Sequence, residues 1–246
     1  MTLFEQYCTI LVMSDQFANE RQDHADSAAA ADSLSISVRE GRPSDLGPLS
    51  LLLARSFAAD PQFTWIFGDL SAHEKQMAQF FATQLRDCLT SGTLDVALDS
   101  HTQIVGAALW RVPGSVFPSL GRQFLTIPRY VTIFGSRLRV ASSLAGELAR
   151  AHPKEPHWYL TVLGVEPQLK GRGVGGALLR HGLARADATR HPAYLETNTD
   201  DNVALYQHFN FSVAAVVSFA NGCPPSTTMW HKSSTPNVNA NDDDAV

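Results

Sequence analysis

Apolar and polar side chains alternate over residues 34–40, LSISVRE, which predicts a half-buried strand. A turn with Pro43 follows, and Asp45 is placed to open a helix on which Leu49, Leu52, Leu53 and Phe57 recur at helical spacing. DPQFTWIFGD reads as an aromatic loop, and 71–90 as a second amphipathic helix. TLDVALD and QIVGAALWRV read as two strands of a hairpin. From 117 to 150 the pattern is helical again, interrupted by Pro118, Pro128 and Gly135. HWYLTVLGV at 157–165 is apolar almost throughout, as a central strand buried on both faces must be. A glycine-rich turn, a helix over 174–188, the strand AYLET, a short helix at 201–208 and strands near 212–219 and 227–232 complete the order. Strands alternating with helices in this way predict an α/β fold with a mixed sheet and helices on both faces.

The ends break this pattern. ANERQDHADSAAAADS lacks the apolar spacing needed to pack, and SSTPNVNANDDDAV is polar and acidic. The expected organisation is a loosely packed or disordered extension over 1–33, one domain over 34–232 with 117–150 as a helical insertion, and a disordered acidic tail over 233–246. A length of 246 residues with 44% hydrophobic content suits one large domain with tails.

Charge adds a tilt. The net charge is −5, but 1–33 holds six acids against Arg21, and the last five residues hold Asp242, Asp243 and Asp244; between 34 and 232 there remain 18 bases and 15 acids. Six arginines and one acid, Glu147, fall within 111–150. A mildly basic body fits an anionic small ligand, and it lacks the dense basic footprint of a duplex-binding domain, so no nucleic-acid partner is expected. No run reaches the roughly 20 apolar residues of a membrane span, and the N-terminus lacks a basic n-region. The expectation is a cytoplasmic protein, monomer or homodimer, without a membrane partner. Cys8, Cys88 and Cys223 are far apart and odd in number, so neither a disulfide framework nor a metal site is expected.

The stretch YLTVLGVEPQLKGRGVGGALLRHGL carries chemistry. A buried strand ends at Val165, passes through Glu166 and Pro167, and reaches Lys170, Gly171, Arg172, Gly173, Val174, Gly175 and Gly176 as a helix begins. Glycines let the backbone approach a phosphate, the first helical N–H groups are unpaired, and the helix dipole favours negative charge. Gly171, Gly173 and Gly176 also match the G-x-G-x-x-G of a dinucleotide fold, with Glu196 twenty residues on. Against that, a Rossmann strand normally opens its domain, and here three strands come first. A turn that merely packs is the remaining alternative.

The same stretch resembles motif A of the GNAT superfamily of acyl-CoA N-acyltransferases: strand, x-V-x-P, [Q/R]-x-x-G-x-[G/A], helix. Val165, Pro167, Gly173 and Gly175 match, and Lys170 stands where the pattern has Gln or Arg. Downstream, AYLETNTDDNVALYQHFNFSV resembles motif B, with Asn202 and Tyr206 four residues apart and Asn210-Phe211 in place of Gly-Phe. Asn tolerates the left-handed backbone that Gly would supply. HPKEPHWYLTVLGVEP, AYLET and ALWRVPGS are further similar to the branch containing puromycin N-acetyltransferase.

The resemblance implies a mostly antiparallel mixed sheet with one splayed parallel strand pair. It implies transfer of acetyl from acetyl-CoA, with no metal, to a primary amine of a small molecule by direct attack in a ternary complex. A protein or peptide acceptor, or a non-catalytic acyl-CoA sensor, stays open. Leu163 and Val165 are then backbone contacts of the pantetheine arm, 170–176 the pyrophosphate cradle, and Asn202 a further coenzyme A contact or a helix cap. Tyr206 is the implied general acid for the leaving thiolate. Glu196 is the candidate base, with Glu155 and His157 as alternatives. Phe63, Trp65 and Phe67, with Trp110 expected beside them, are candidates for an aromatic acceptor wall or for core.

Overall fold

In a computed structural model, residues 35–68, 73–114, 120–220 and 222–233 are described. The expectations for 1–33, for the tail beyond Ser233 and for Pro118 lie outside them. Seven strands form one sheet in the order β1-β2-β3-β4-β5-β7-β6: β1 (Ser37–Glu40), β2 (Gly92–Leu98), β3 (Ile104–Arg111), β4 (Trp158–Val165), β5 (Ala193–Thr197), β6 (Phe211–Val217) and β7 (Ser226–His231). Every pairing is antiparallel except β4 with β5. The helices are α1 (Leu46–Ser56), α2 (Pro61–Phe67), α3 (Glu74–Ser91), α4 (Leu120–Phe134), α5 (Leu138–Ala151), α6 (Val174–Ala188) and α7 (Asp200–His208).

Two hydrophobic cores lie on opposite faces of the sheet. The front core gathers Leu49, Leu53, Phe57, Phe63, Phe80, Phe81, Phe134, Leu144 and Val162. The back core gathers Trp110, Trp158, Leu160, Leu163, Val165, Leu178, Leu195 and Tyr206. All eight residues of β4 are buried, as its continuous apolar run requires. Gly182 lets α6 lie close to the sheet, because a Cβ there would collide with the Trp110 indole.

Three expectations need correction. The aromatic segment is not a loop: Asp60 accepts a hydrogen bond from the Phe63 N–H at 2.9 Å and Pro61 takes the first helical position, so α2 is properly capped. Pro128 does not interrupt its helix; α4 runs through it to Phe134, and the break comes at Gly135, φ +49°. Trp110 does not stand beside Phe63 and Phe67. It is fully buried in the back core, whereas they belong to the front core, because neighbouring strand positions face opposite sides.

Candidate functional site

The site originates in a fault in β4. Trp110 pairs with Leu160, but Leu109 pairs with Val162, so Thr161 is an extra residue. Its Oγ1 donates to the Leu109 carbonyl at 3.1 Å, which pins the bulge. The extra residue shifts the alternation by one: Trp158 and Leu160 face the back core, then Leu163 and Val165 do. A bulge also raises local twist. The parallel pairing ends at that point, with Trp158, Tyr159 and Leu160 registered against Ala193, Tyr194 and Leu195 and no pair beyond. The second half of β4 therefore parts from β5.

At the end of β4 lies a pocket of about 260 Å³. It is lined by Ser56, Val165, Leu169, Lys170, the glycines of the turn, Val174, Arg180, Leu205, His208 and Phe209. Gly171 and Gly173 have φ of +75° and +85°, which an L side chain rarely adopts. The first bond into α6 runs from the Ala177 N–H to the Gly173 carbonyl at 3.0 Å, so the N–H groups of Val174, Gly175 and Gly176 have no helical acceptor. A Cβ on Gly173 would meet nothing within 4 Å, and one on Gly175 only Val165 at 3.7 Å. The turn is thus an open anion cradle with the positive end of a helix as its floor.

Of the residues singled out from sequence, Val165, Lys170, Gly171, Gly173, Val174, Gly175 and Gly176 come together in this lining. Arg172 is exposed on the turn but outside the lining, and Leu163 is buried behind it. The Val165 N–H donates to Ser56 Oγ at 3.2 Å. Asn210 adopts φ +61°, the left-handed backbone expected of a residue in the place of Gly. Trp65 is half-buried against the front core.

Sequence reading missed Arg180. It lies one helical turn beyond Gly176, and a Cβ added to Gly176 would sit 3.4 Å from its guanidinium, so the side chain reaches back along the cradle face. Its guanidinium carbon stands 5.9 Å from the Phe209 ring centroid. The i, i+4 spacing was the signal that would have found it.

Behind the wall, Asn202 and Tyr206 share one buried face of α7. Tyr206 is fully buried and packs edge-on to Phe211, with ring centroids 5.6 Å apart. Its hydroxyl has no hydrogen-bond partner among the described residues, and burial pushes its ionisation well above that of an ordinary phenol. An orphaned buried hydroxyl costs free energy unless something else satisfies it. Glu196 lies on the other face of the sheet, 3% exposed, accepting from Tyr159 Oη at 2.9 Å and Tyr194 Oη at 3.0 Å. Cys88 and Cys223 are buried thiols whose ionisation burial pushes up to about 12, which leaves them unreactive.

A model of the acetyltransferase (GNAT) family matches residues 96–211. A crystal structure described as histone acetyltransferase HPA2 and related acetyltransferase, from Corynebacterium glutamicum, is 31% identical to this chain. The match covers 83% of this chain and 99% of that one, with a TM-score of 0.66. This chain belongs to the GNAT acetyltransferase family. A mosquito arylalkylamine N-acetyltransferase like 5b (14% identity, 80% of this chain and 100% of that one, TM-score 0.50) shares the fold. So does PH1933 from Pyrococcus horikoshii (13%, 82% and 100%, 0.51). GNAT enzymes use acetyl-CoA as co-substrate, and the glycine cradle, Lys170 and the orphaned Tyr206 hydroxyl suit that molecule's charge and chemistry. No helix among the described residues is long and apolar enough to cross a membrane.

Proposed function

We propose that this GNAT protein moves acetyl from acetyl-CoA to a primary amine of a small molecule, by direct attack while both substrates are bound. One observation carries the reading: an open pocket floored by the unpaired N–H groups of α6 lies at the C-terminal end of β4, beyond the last residue that pairs with β5. Lys170, Gly171, Gly173, Val174, Gly175 and Gly176 hold the pyrophosphate, with Arg180 as a second cation and Arg172 available from the turn. Val165 and Leu163 flank the pantetheine arm, and Asn202 braces the α7 face that carries Tyr206.

Acetyl-CoA supplies an acyl group activated as a thioester. The chain's own residues manage two protons. Glu196 takes one from the attacking amine. Tyr206 gives one to the departing thiolate; its burial keeps the phenol protonated across the working range, and desolvation raises a thiolate's proton affinity as well.

The small-molecule acceptor rests on the similarity to the puromycin N-acetyltransferase branch and on the basic tilt of 111–150, which disfavours basic protein tails. Arg111 leaves that count, because it is buried and paired to Asp87 at 2.8 Å. Trp65 remains an acceptor-wall candidate; Trp110, in the back core, does not.

The test is a panel of amine compounds and peptides offered with acetyl-CoA, followed by thiol release and product mass. Acetylation of a small primary amine with equimolar thiol supports the reading. Acetylation of peptides alone, or binding of acetyl-CoA without transfer to any acceptor, contradicts it.

A further inference from the structure

The front face of β4, β5 and β7 holds a buried polar cluster, of which the reading above uses Glu196 alone. His152, at the C-terminal end of α5, sets Nδ1 3.5 Å from Glu196 Oε1. Its Nε2 is 3.0 Å from Nε2 of His157, and His157 Nδ1 is 2.6 Å from the Glu155 carbonyl. Both imidazoles are nearly solvent-free, at 6% and 1% exposure. The rings of Tyr159 and Tyr194 pack against both, and Trp230 of β7 closes over His157. Among the described residues, the titratable groups facing His152 include Glu196 and Tyr194 from β5, His157 just before β4 and Tyr159 on β4.

The Glu155 carbonyl fixes the hydrogens. A carbonyl only accepts, so His157 Nδ1 carries hydrogen. Burial holds the ionisation of His157 down at about 4, so the ring is neutral and its Nε2 offers a lone pair. His152 Nε2 therefore donates to it. The other nitrogen of His152 faces Glu196, and in a neutral ring that nitrogen is a lone pair set against a carboxylate. One proton added there turns repulsion into attraction.

We propose that His152 is a positioning residue that acts through Glu196, holding the proton Glu196 takes from the amine, with His157 fixing the tautomer that allows it. The inference rests on the reading of Glu196 as the base. As the nitrogen–carbon bond forms, an N–H proton passes to Glu196, and Oε1 hands a proton to His152 Nδ1. Glu196 stays a carboxylate held by both tyrosine hydroxyls, and the imidazolium keeps its Nε2–H on His157. The carbon–sulfur bond breaks as the thiolate takes the Tyr206 proton. Water then removes a proton from His152 and returns one to Tyr206, leaving amide and thiol.

The test compares pH profiles of kcat/KM for the wild type, His152→Gln and Glu196→Gln with the acceptor found in the amine screen. His152→Gln is expected to change the profile and to lose at least tenfold in kcat, with the KM for acetyl-CoA within twofold. A His152→Gln enzyme whose profile matches that of the wild type overturns the inference. If Glu196→Gln retains full kcat, the base assignment itself falls, so the two failures are distinct. Nitrogen-15 spectra of the wild-type histidines give a reading independent of any variant's folding. Hydrogen on His157 Nδ1 and His152 Nε2 is expected, and hydrogen on His157 Nε2 overturns the inference.

Discussion

The glycine cradle and the carboxylate cluster lie on opposite faces of β4 and are made of opposite materials. The cradle is backbone: positive-φ glycines and unpaired N–H groups open to a pocket. The cluster is side chain, with Glu196, His152, His157, Tyr159 and Tyr194 sealed among aromatic rings. An open cradle suits a large anionic molecule that must enter and leave. A buried cluster suits proton chemistry, because low polarity strengthens each hydrogen bond. The bulge at Thr161 separates the two, since it ends the parallel pairing and reverses which β4 residues face the back.

In the proposed function Tyr206, on the cradle side, delivers the proton to the thiolate. Tyr206→Phe keeps the ring and should lower kcat about 10–100-fold, about 1.4–2.7 kcal/mol, while sparing the KM for acetyl-CoA. Unchanged kcat in steady-state assays where chemistry limits the rate would return Tyr206 to the core.

Stability should separate the faces next. Gly182→Ala drives a methyl group into the Trp110 indole beneath α6 and should destabilise the fold by about 1–3 kcal/mol, read by urea denaturation. No loss would mean that α6 shifts freely against the sheet.

The cluster is tested by the pH dependence of stability. His157 ionises at about 4 in the folded chain, below the ordinary value of 6.5, chiefly through burial. The unfolded chain therefore binds a proton that the folded one refuses, and the associated stability, intact above about pH 6.5, is lost as pH falls toward 4. Melting temperatures of the wild type should fall more steeply through that window than those of His157→Gln. Parallel curves would mean that His157 is not held neutral.

Legibility followed the same division. The cradle was readable because its chemistry sits in one short run, and a glycine's freedom is a property of the residue alone. The boundaries of α6 and the left-handed Asn210 came from the same local logic. The cluster was not readable, because its members come from α5, β4 and β5 and meet only through strand register; Glu196 and His157 were named as alternative bases, but not as parts of one cluster, and His152, Tyr159 and Tyr194 were not named as candidates. Trp110 was misplaced for a related reason, since its residue type does not say which face of β3 it takes. The helix α2 was missed although Asp60-Pro61 is a start signal, because its aromatic residues obscured the period.

The central claim is that the β4–α6 turn holds acyl-coenzyme A, and calorimetric titration of coenzyme A into the wild type and Gly175→Val tests it most directly. Gly175 is the better position than Gly173, whose φ of +85° would strain any side chain. Val is the better helix former, and a Cβ at 175 meets only Val165 at 3.7 Å, so the fold should hold. The γ-carbons, however, would enter the cradle. The account predicts that coenzyme A binds the wild type, that NAD binds more weakly, and that Gly175→Val weakens coenzyme A at least tenfold, about 1.4 kcal/mol. Equal coenzyme A affinity in a folded Gly175→Val protein, or tighter binding of NAD than of coenzyme A, would contradict it.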